Sequence, residues 1–189
     1  MTQEAFMKTT KIQTLNDLFL EELGDLFNAE NQLVKALPKM AKATESQDLR
    51  SVIEKHTQQT RNHVNRLEKI FKELGQKPAQ VVCKAMKGLI EEGEEMVMKS
   101  EKSAARDAAI IGAAQRVEHY EIAGYGTAKS HASLLGHKRA EEILAETLQE
   151  EKRANENLNE LAESNINQEA KTGGKEDFSE EYREEDEEL

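Results

Sequence analysis

The chain has 189 residues, 37% hydrophobic and 33% charged, with two prolines, no tryptophan, one cysteine and a formal net charge of −11. That length suffices for one domain with a real core, and abundant Ala, Glu, Lys and Leu beside sparse β-branched and aromatic residues predict an all-α fold. Cys83 alone excludes an intramolecular disulfide and fits a reducing compartment. No apolar run approaches the roughly 20 residues of a membrane span, the first residues contain no continuous apolar stretch of a secretory signal, and an acidic chain without a basic stripe is a poor nucleic-acid binder. The expectation is a cytoplasmic protein with neither membrane nor nucleic acid as partner.

Residues 1–13 read as a loose leader. A first helix opens at Thr14, with Asp17 three residues on as a capping-box variant. Its core-facing seam is Phe19, Leu23, Leu26, Glu30, Leu33, Leu37 and Met40, and the pattern continues to Ala43 although Pro38 predicts a kink. Ser46 is the predicted N-cap of a second helix and Gly75 the residue just past its end. Its seam, Ile53, Thr57, Thr60, Val64, Leu67, Phe71 and Leu74, adjoins a stripe with His56 and His63, and Gln59 lies between. Pro78–Lys99 is predicted as a shorter helix in a crossover, its methionines filling gaps in the core.

A third long helix is predicted from about Ser103 to Leu135, stopped by Gly136, with the seam Ile111, Ala114, Glu118, Glu121, Tyr125 and Ala128. Gly124 and Gly126 either mark close helix approach or merely soften the helix. The fourth helix, about His137–Asn165, has the seam Leu144, Thr147, Glu151, Ala154, Leu158 and Leu161, with Glu150 pointing more outward. A bundle domain is thus expected over 14–167. Residues 168–189 are expected to form a disordered acidic tail, since Glu169–Leu189 holds ten acidic and three basic residues.

Two long helices, a crossover and two more long helices predict a ferritin-like antiparallel four-helix bundle with a short extra helix in the crossover. Glutamates interrupt the apolar seams at matching depth: Glu30, Glu118, Glu121 and Glu151, with His63 on the second helix. A buried carboxylate is costly unless it is paired, protonated or bound to a cation; the alternative is a misphased seam with these side chains in water. Two divalent cations would balance four glutamates, and a carboxylate-rich site with one or two imidazoles suits Fe or Mn rather than structural zinc. His56 and Gln59 are secondary candidates. His119 faces away from Glu118, and His131 and His137 near a helix end are expected to be exposed. Tyr125, one turn from Glu121, is expected in the core and bonded to a carboxylate.

The runs FNAENQLVKALPKMAKA, CKAMKGLIEEGEE, RDAAIIGAAQRVEHYEIAGYGT and ETLQEEKRANENL resemble the YciE/YciF group of bacterial ferritin-like stress proteins, over about residues 13–165. The resemblance implies a rubrerythrin-like bundle, a homodimer, and a dinuclear iron centre that oxidises Fe(II) with O2 or peroxide. By position it gives Glu30 the first-helix ligand place, Glu118 the third-helix bridging place with Glu121 as an extra carboxylate, and Glu151 the fourth-helix place. Two positions depart from the Glu-x-x-His pattern: Thr60 stands before His63 where Glu is expected, and Ala154 follows Glu151 where His is expected. Those departures favour a second reading, a non-catalytic ferritin-like structural or binding protein with a degenerate site; a third, a manganese-catalase-like activity, is separated from the first by no sequence feature.

Overall fold

In a computed structural model of the chain, residues 11–78 and 81–172 are described. Six α-helices account for most of them: α1 Leu15–Ala43, α2 Gln47–Glu73, α3 Lys84–Lys99, α4 Ala104–Leu134, α5 Lys138–Leu161 and α6 Asn167–Thr172, the last two joined by a π-helical turn, Ala162–Ile166. No strand occurs among the described residues, so the all-α expectation is met.

The helix ends follow local chemistry. Thr14 Oγ1 accepts from the backbone N–H of Asp17 at 3.1 Å while Asp17 Oδ2 accepts from that of Thr14 at 2.9 Å, closing the expected capping box. Ser46 caps α2 by accepting from Leu49 N at 3.3 Å. Gly75 and Gly136 carry φ of +65° and +76° just past α2 and α4, the left-handed conformation that glycine adopts without a Cβ penalty. α1 runs through Pro38 to Ala43, as its continued apolar pattern predicts. Two other boundaries differ from expectation. α3 starts at Lys84, not at Pro78, because Cys83 is the N-cap, its sulfur accepting from Met86 N at 3.4 Å. Helix also continues beyond Asn167 to Thr172; the rest of the expected acidic tail, and the leader through residue 10, lie outside the described residues.

The four long helices close a ring in which α1 packs on α2, α2 on α5, α5 on α4 and α4 on α1, while α3 lies against α4 and α1. Neighbours are antiparallel. Asp107, at the start of α4, accepts from Glu45 N at 3.0 Å and Ser46 N at 2.7 Å just past the end of α1, whereas Gly124, late in α4, meets Leu26, early in α1. The chain must therefore cross the length of the bundle between α2 and α4, and α3 is the helical part of that crossover. This is the ferritin-like four-helix bundle.

Gly124 is a point of close approach, since a Cβ there would stand 2.8 Å from Leu26 Cδ2; Gly126 is not, with nothing within 4 Å. Of the α3 methionines only Met86 is core; Met96 and Met98 are exposed, contrary to the gap-filling expectation. Apolar packing divides into two clusters. One gathers Leu33, Leu37, Ile53, Met86, Ile110 and Leu158; the other gathers Phe19, Leu23, Leu67, Phe71, Tyr125 and Leu144. Between them, at mid-depth, lies a band of buried polar residues.

Candidate metal centre

That band holds Glu30, His56, Thr57, Thr60, His63, Glu118, Glu121, Thr147 and Glu151, all buried. The seams were therefore correctly phased, and water contact does not account for the glutamates. Each long helix delivers its members by three-and-four spacing: Glu30 from α1, His56 and His63 from α2, Glu118 and Glu121 from α4, Glu151 from α5.

They form two overlapping groups. One donor atom from each of His56, Glu118, Glu121 and Glu151 lies within 4.8 Å of the others, and the same holds for Glu30, His63 and Glu151. Glu151 belongs to both groups, whereas Glu118, to which the resemblance gives the bridging place, belongs to one. His56 joins the first group, and Gln59, half-buried, stands beside His56 in the wall of one cleft. Among the remaining histidines, His119 is exposed and bonded to its own helix at Gln115 O, 2.8 Å away. His131 and His137 are half-buried rather than exposed, His137 because its ring stacks on Phe19 at 5.7 Å.

His63 is the best-held member. Its Nδ1 lies 2.8 Å from Glu151 Oε1 and 3.2 Å from Glu30 Oε1, and its Nε2 lies 2.7 Å from Glu150 Oε2. Arg66, one turn on, donates to Glu150 through Nη1 at 2.6 Å and to Glu146 through Nη2 at 2.6 Å. Glu150 thus turns inward enough to orient the imidazole, although the helix pattern pointed it outward. An imidazole with one nitrogen on a carboxylate and the other aimed at a ligand cluster is how a metal-bound histidine is usually held. Neither Glu150 nor Arg66 was marked by the sequence reading. The available signal was Arg66 three residues after His63, and it becomes informative only once the register of α2 on α5 is known.

His56 is held less firmly. Its Nε2 lies 3.2 Å from Glu118 Oε1 and 3.9 Å from Glu151 Oε2, and neither ring nitrogen makes a hydrogen bond. Tyr125 is core, as expected, and its hydroxyl donates to Glu30 Oε1. Thr60 Oγ1 donates to its own helix at His56 O, 3.0 Å, so the residue standing where Glu is expected contributes no donor to the cluster.

Proton affinities follow from burial and crowding. Burial, with the Glu151 and Glu30 carboxylates added, pushes Glu118 well above the ordinary carboxyl range; burial, with Glu30, Glu151 and Glu118 added, does the same to Glu121. Burial also raises Glu30, with His63 opposing it. Burial works against a charged His63, but the Glu151 and Glu30 carboxylates outweigh it and hold the ring at about 11. Burial lowers His56. Glu151 is lowered, since the pull of His63 exceeds the effect of burial. Without a metal, then, protons on Glu118 and Glu121 and the charge on His63 take the place of cations.

The donor set fits a metal on its own chemistry. Glu30 Oε2, Glu118 Oε2 and both Glu121 oxygens are buried without a hydrogen-bond partner. Natural folds rarely leave such atoms unpaired, and all are hard oxygen donors suited to a divalent cation. These buried Glu and His groups can hold a metal ion.

The comparisons with known proteins agree with this architecture. The model of the family described as "Domain of unknown function (DUF892)" matches residues 14–171. The chain is 42% identical over 160 residues to protein YciF of Escherichia coli K12, covering 84% of this chain and 96% of that one. The crystal structure of the E. coli stress protein YciF superimposes with a TM-score of 0.80 at 42% identity, over 82% of this chain and 99% of that one. YcfI of Rhodopseudomonas palustris, described provisionally as a structural protein, gives a TM-score of 0.77 at 44% identity, over 80% and 96%. A Xanthomonas campestris protein at 18% identity, TM-score 0.67, over 84% and 98%, shares the fold alone. Among the described residues no helix is long and apolar enough to cross a membrane. The chain belongs to the family described as a domain of unknown function, DUF892, and is of the YciF type that its sequence resembles.

Proposed function

We propose that this protein is a carboxylate-bridged dinuclear metal protein of stress defence, taking iron by preference and manganese as the alternative, and oxidising Fe(II) with O2 or peroxide. The observation that carries the reading is Glu151, wholly buried and common to two Glu/His groups drawn from four helices. Bound iron would supply the one-electron chemistry. The residues would supply the rest: Glu151 spans the two positions, Glu30 and His63 complete one, and His56, Glu118 and Glu121 complete the other. Glu150 and Arg66 fix the His63 ring, and Tyr125 holds Glu30 through its hydroxyl. The homodimer implied by the family resemblance belongs to the same reading.

Two observations favour a second reading, a non-catalytic bundle with a degenerate site. The Glu30 and Glu151 carboxylates flank His63 and favour its charged form, and Thr60 and Ala154 occupy two positions where the full pattern has ligands. Elemental analysis after tag-free aerobic purification decides between them, together with thermal melts in chelator and in Fe(II) under nitrogen. Dinuclear binding predicts close to two metals per chain and a rise in Tm, because the ligand binds only the folded state. A metal-free protein whose Tm ignores Fe(II) would establish the second reading.

A further inference from the structure

Outside the centre, the junction of α2 and α5 opens into a surface cleft of about 410 Å³ whose walls include Val52, His56, Gln59, Ala154 and Asn157. Behind it is a void of about 10 Å³, lined by Val52, His56 and Ala154 again and by Glu118 on the inner side. That volume is at the lower limit for one water molecule. The His56 ring is therefore a partition, with the cleft on one face and a candidate ligand carboxylate on the other.

The two histidines of the centre are supported differently. Glu150, itself gripped by Arg66, fixes His63. His56 has no such clamp: neither ring nitrogen makes a well-formed hydrogen bond, and the side chains beside it are Glu118 at 3.2 Å and the half-buried Gln59. The nearby hydroxyls donate elsewhere, Thr57 to Ile53 O at 2.8 Å and Thr60 to His56 O at 3.0 Å. A ligand histidine without a fixed carboxylate behind it turns more readily. Ala154 adds room, since it stands one turn after Glu151 with only a methyl group. Two other approaches are filled. Arg66, Glu146, Glu150 and Thr147 are linked over His63, and α3 lies across the α1–α4 side, where Tyr120 bonds to both Cys83 and Asp25.

We propose that this cleft is the route by which a divalent cation reaches the buried carboxylates, the His56 ring turning aside to admit it and returning as a ligand. The inference rests on the metal-centre reading above. The test is stopped-flow uptake of Co(II), followed by its visible absorption, with an equilibrium Co(II) titration of the same samples. Ala154→Leu fills the inner mouth of the cleft, and Asn157→Trp, at an exposed position, obstructs it from outside without touching the core. Both variants are expected to load roughly tenfold more slowly or worse, with affinity kept within about threefold because the donor set is unchanged. Uptake at the wild-type rate in both variants overturns the route alone. So does slowing matched by an equal loss of affinity, which is a binding defect. A wild-type protein that takes up no Co(II), Fe(II) or Mn(II) overturns the metal centre and the route together.

Discussion

His63 Nδ1 lies 2.8 Å from Glu151 Oε1, with both side chains wholly buried. An ion pair taken fully out of water is stabilising only when its partners satisfy each other and their neighbours. Here a single imidazole is shared by Glu151, Glu30 and Glu150, while Glu118 and Glu121 have no comparable cation. The metal-free centre is therefore held together by protons, and its stability depends on pH.

The sign of that dependence follows from the direction of each shift. His63 is raised from 6.5 to about 11, so its contribution is complete below about pH 6.5 and is lost as pH rises toward 11. Glu118 and Glu121 are raised above 4.5; folding takes up their protons above that pH, which also makes stability fall as pH rises. Glu151 and Glu150 are lowered from 4.5, and their contributions are lost only as pH falls through their folded values. Below about pH 6.5, His56, lowered from 6.5, opposes the decline with rising pH, so the Tm of the metal-free protein should decline from about pH 6.5 to pH 9. Metal binding must displace these protons, so the rise in Tm on adding Fe(II) anaerobically should be larger at pH 8 than at pH 6. Calorimetry in chelator and in metal across this range checks both trends; a metal-free Tm that climbs between about pH 6.5 and pH 9 contradicts the assignment.

Glu121 is fully buried with both carboxylate oxygens unpaired, a state with no structural benefit in the absence of a cation. Glu121→Gln keeps the shape and removes the charge. The metal-free variant should be at least as stable as wild type at pH 8, gaining on the order of 1 kcal/mol, while metal stoichiometry falls. A loss of several kcal/mol in chelator would instead assign Glu121 a structural role. Urea melts with parallel metal analysis separate the two.

Gly124 and Gly126 should respond to alanine with opposite signs. At Gly124 the new Cβ meets Leu26 Cδ2 at 2.8 Å and Cγ at 3.6 Å, and Leu26, only 1% exposed, must shift its side chain within a packed core. Overpacking costs about 1–3 kcal/mol, more than the roughly 1 kcal/mol that alanine gains in helix propensity. At Gly126 nothing lies within 4 Å, so Gly126→Ala should stabilise by about 0.5–1 kcal/mol. Thermal melts of the two variants in chelator provide the comparison, and equal shifts would contradict the α1–α4 packing.

Asp107 ties the α1–α2 connection to the start of α4 through two backbone N–H groups, Glu45 at 3.0 Å and Ser46 at 2.7 Å. Its carboxylate is 2% exposed. Asp107→Ala should cost about 2–4 kcal/mol, from two charge-assisted bonds and the donors left without an acceptor. The expected result in urea is a lower midpoint with an unchanged slope; a midpoint within error of wild type would show that water replaces the carboxylate fully.

Helices, caps and core faces were legible because they are decided over three or four residues. Thr14 with Asp17, Ser46, Gly75 and Gly136 end helices through contacts with their immediate neighbours, and the spacing of Glu30, Glu118, Glu121 and Glu151 on apolar seams settles which way they face. Burying them at one depth followed from helix length and the order of the helices. What stood outside that range was misplaced. Pro78 signalled a helix start that Cys83 supplies five residues later, and Glu150 pointed outward on its own helix yet reaches His63, 87 residues away. The choice of Glu151 as the shared carboxylate, the grip of Arg66 on Glu150, the closeness of Gly124 to Leu26 and the void behind His56 all depend on how one helix is rotated and shifted against another. That register is set by packing summed over the whole interface, so no local pattern encodes it: the sequence by itself determined which side chains enter the core, and only the tertiary structure decided which of them meet.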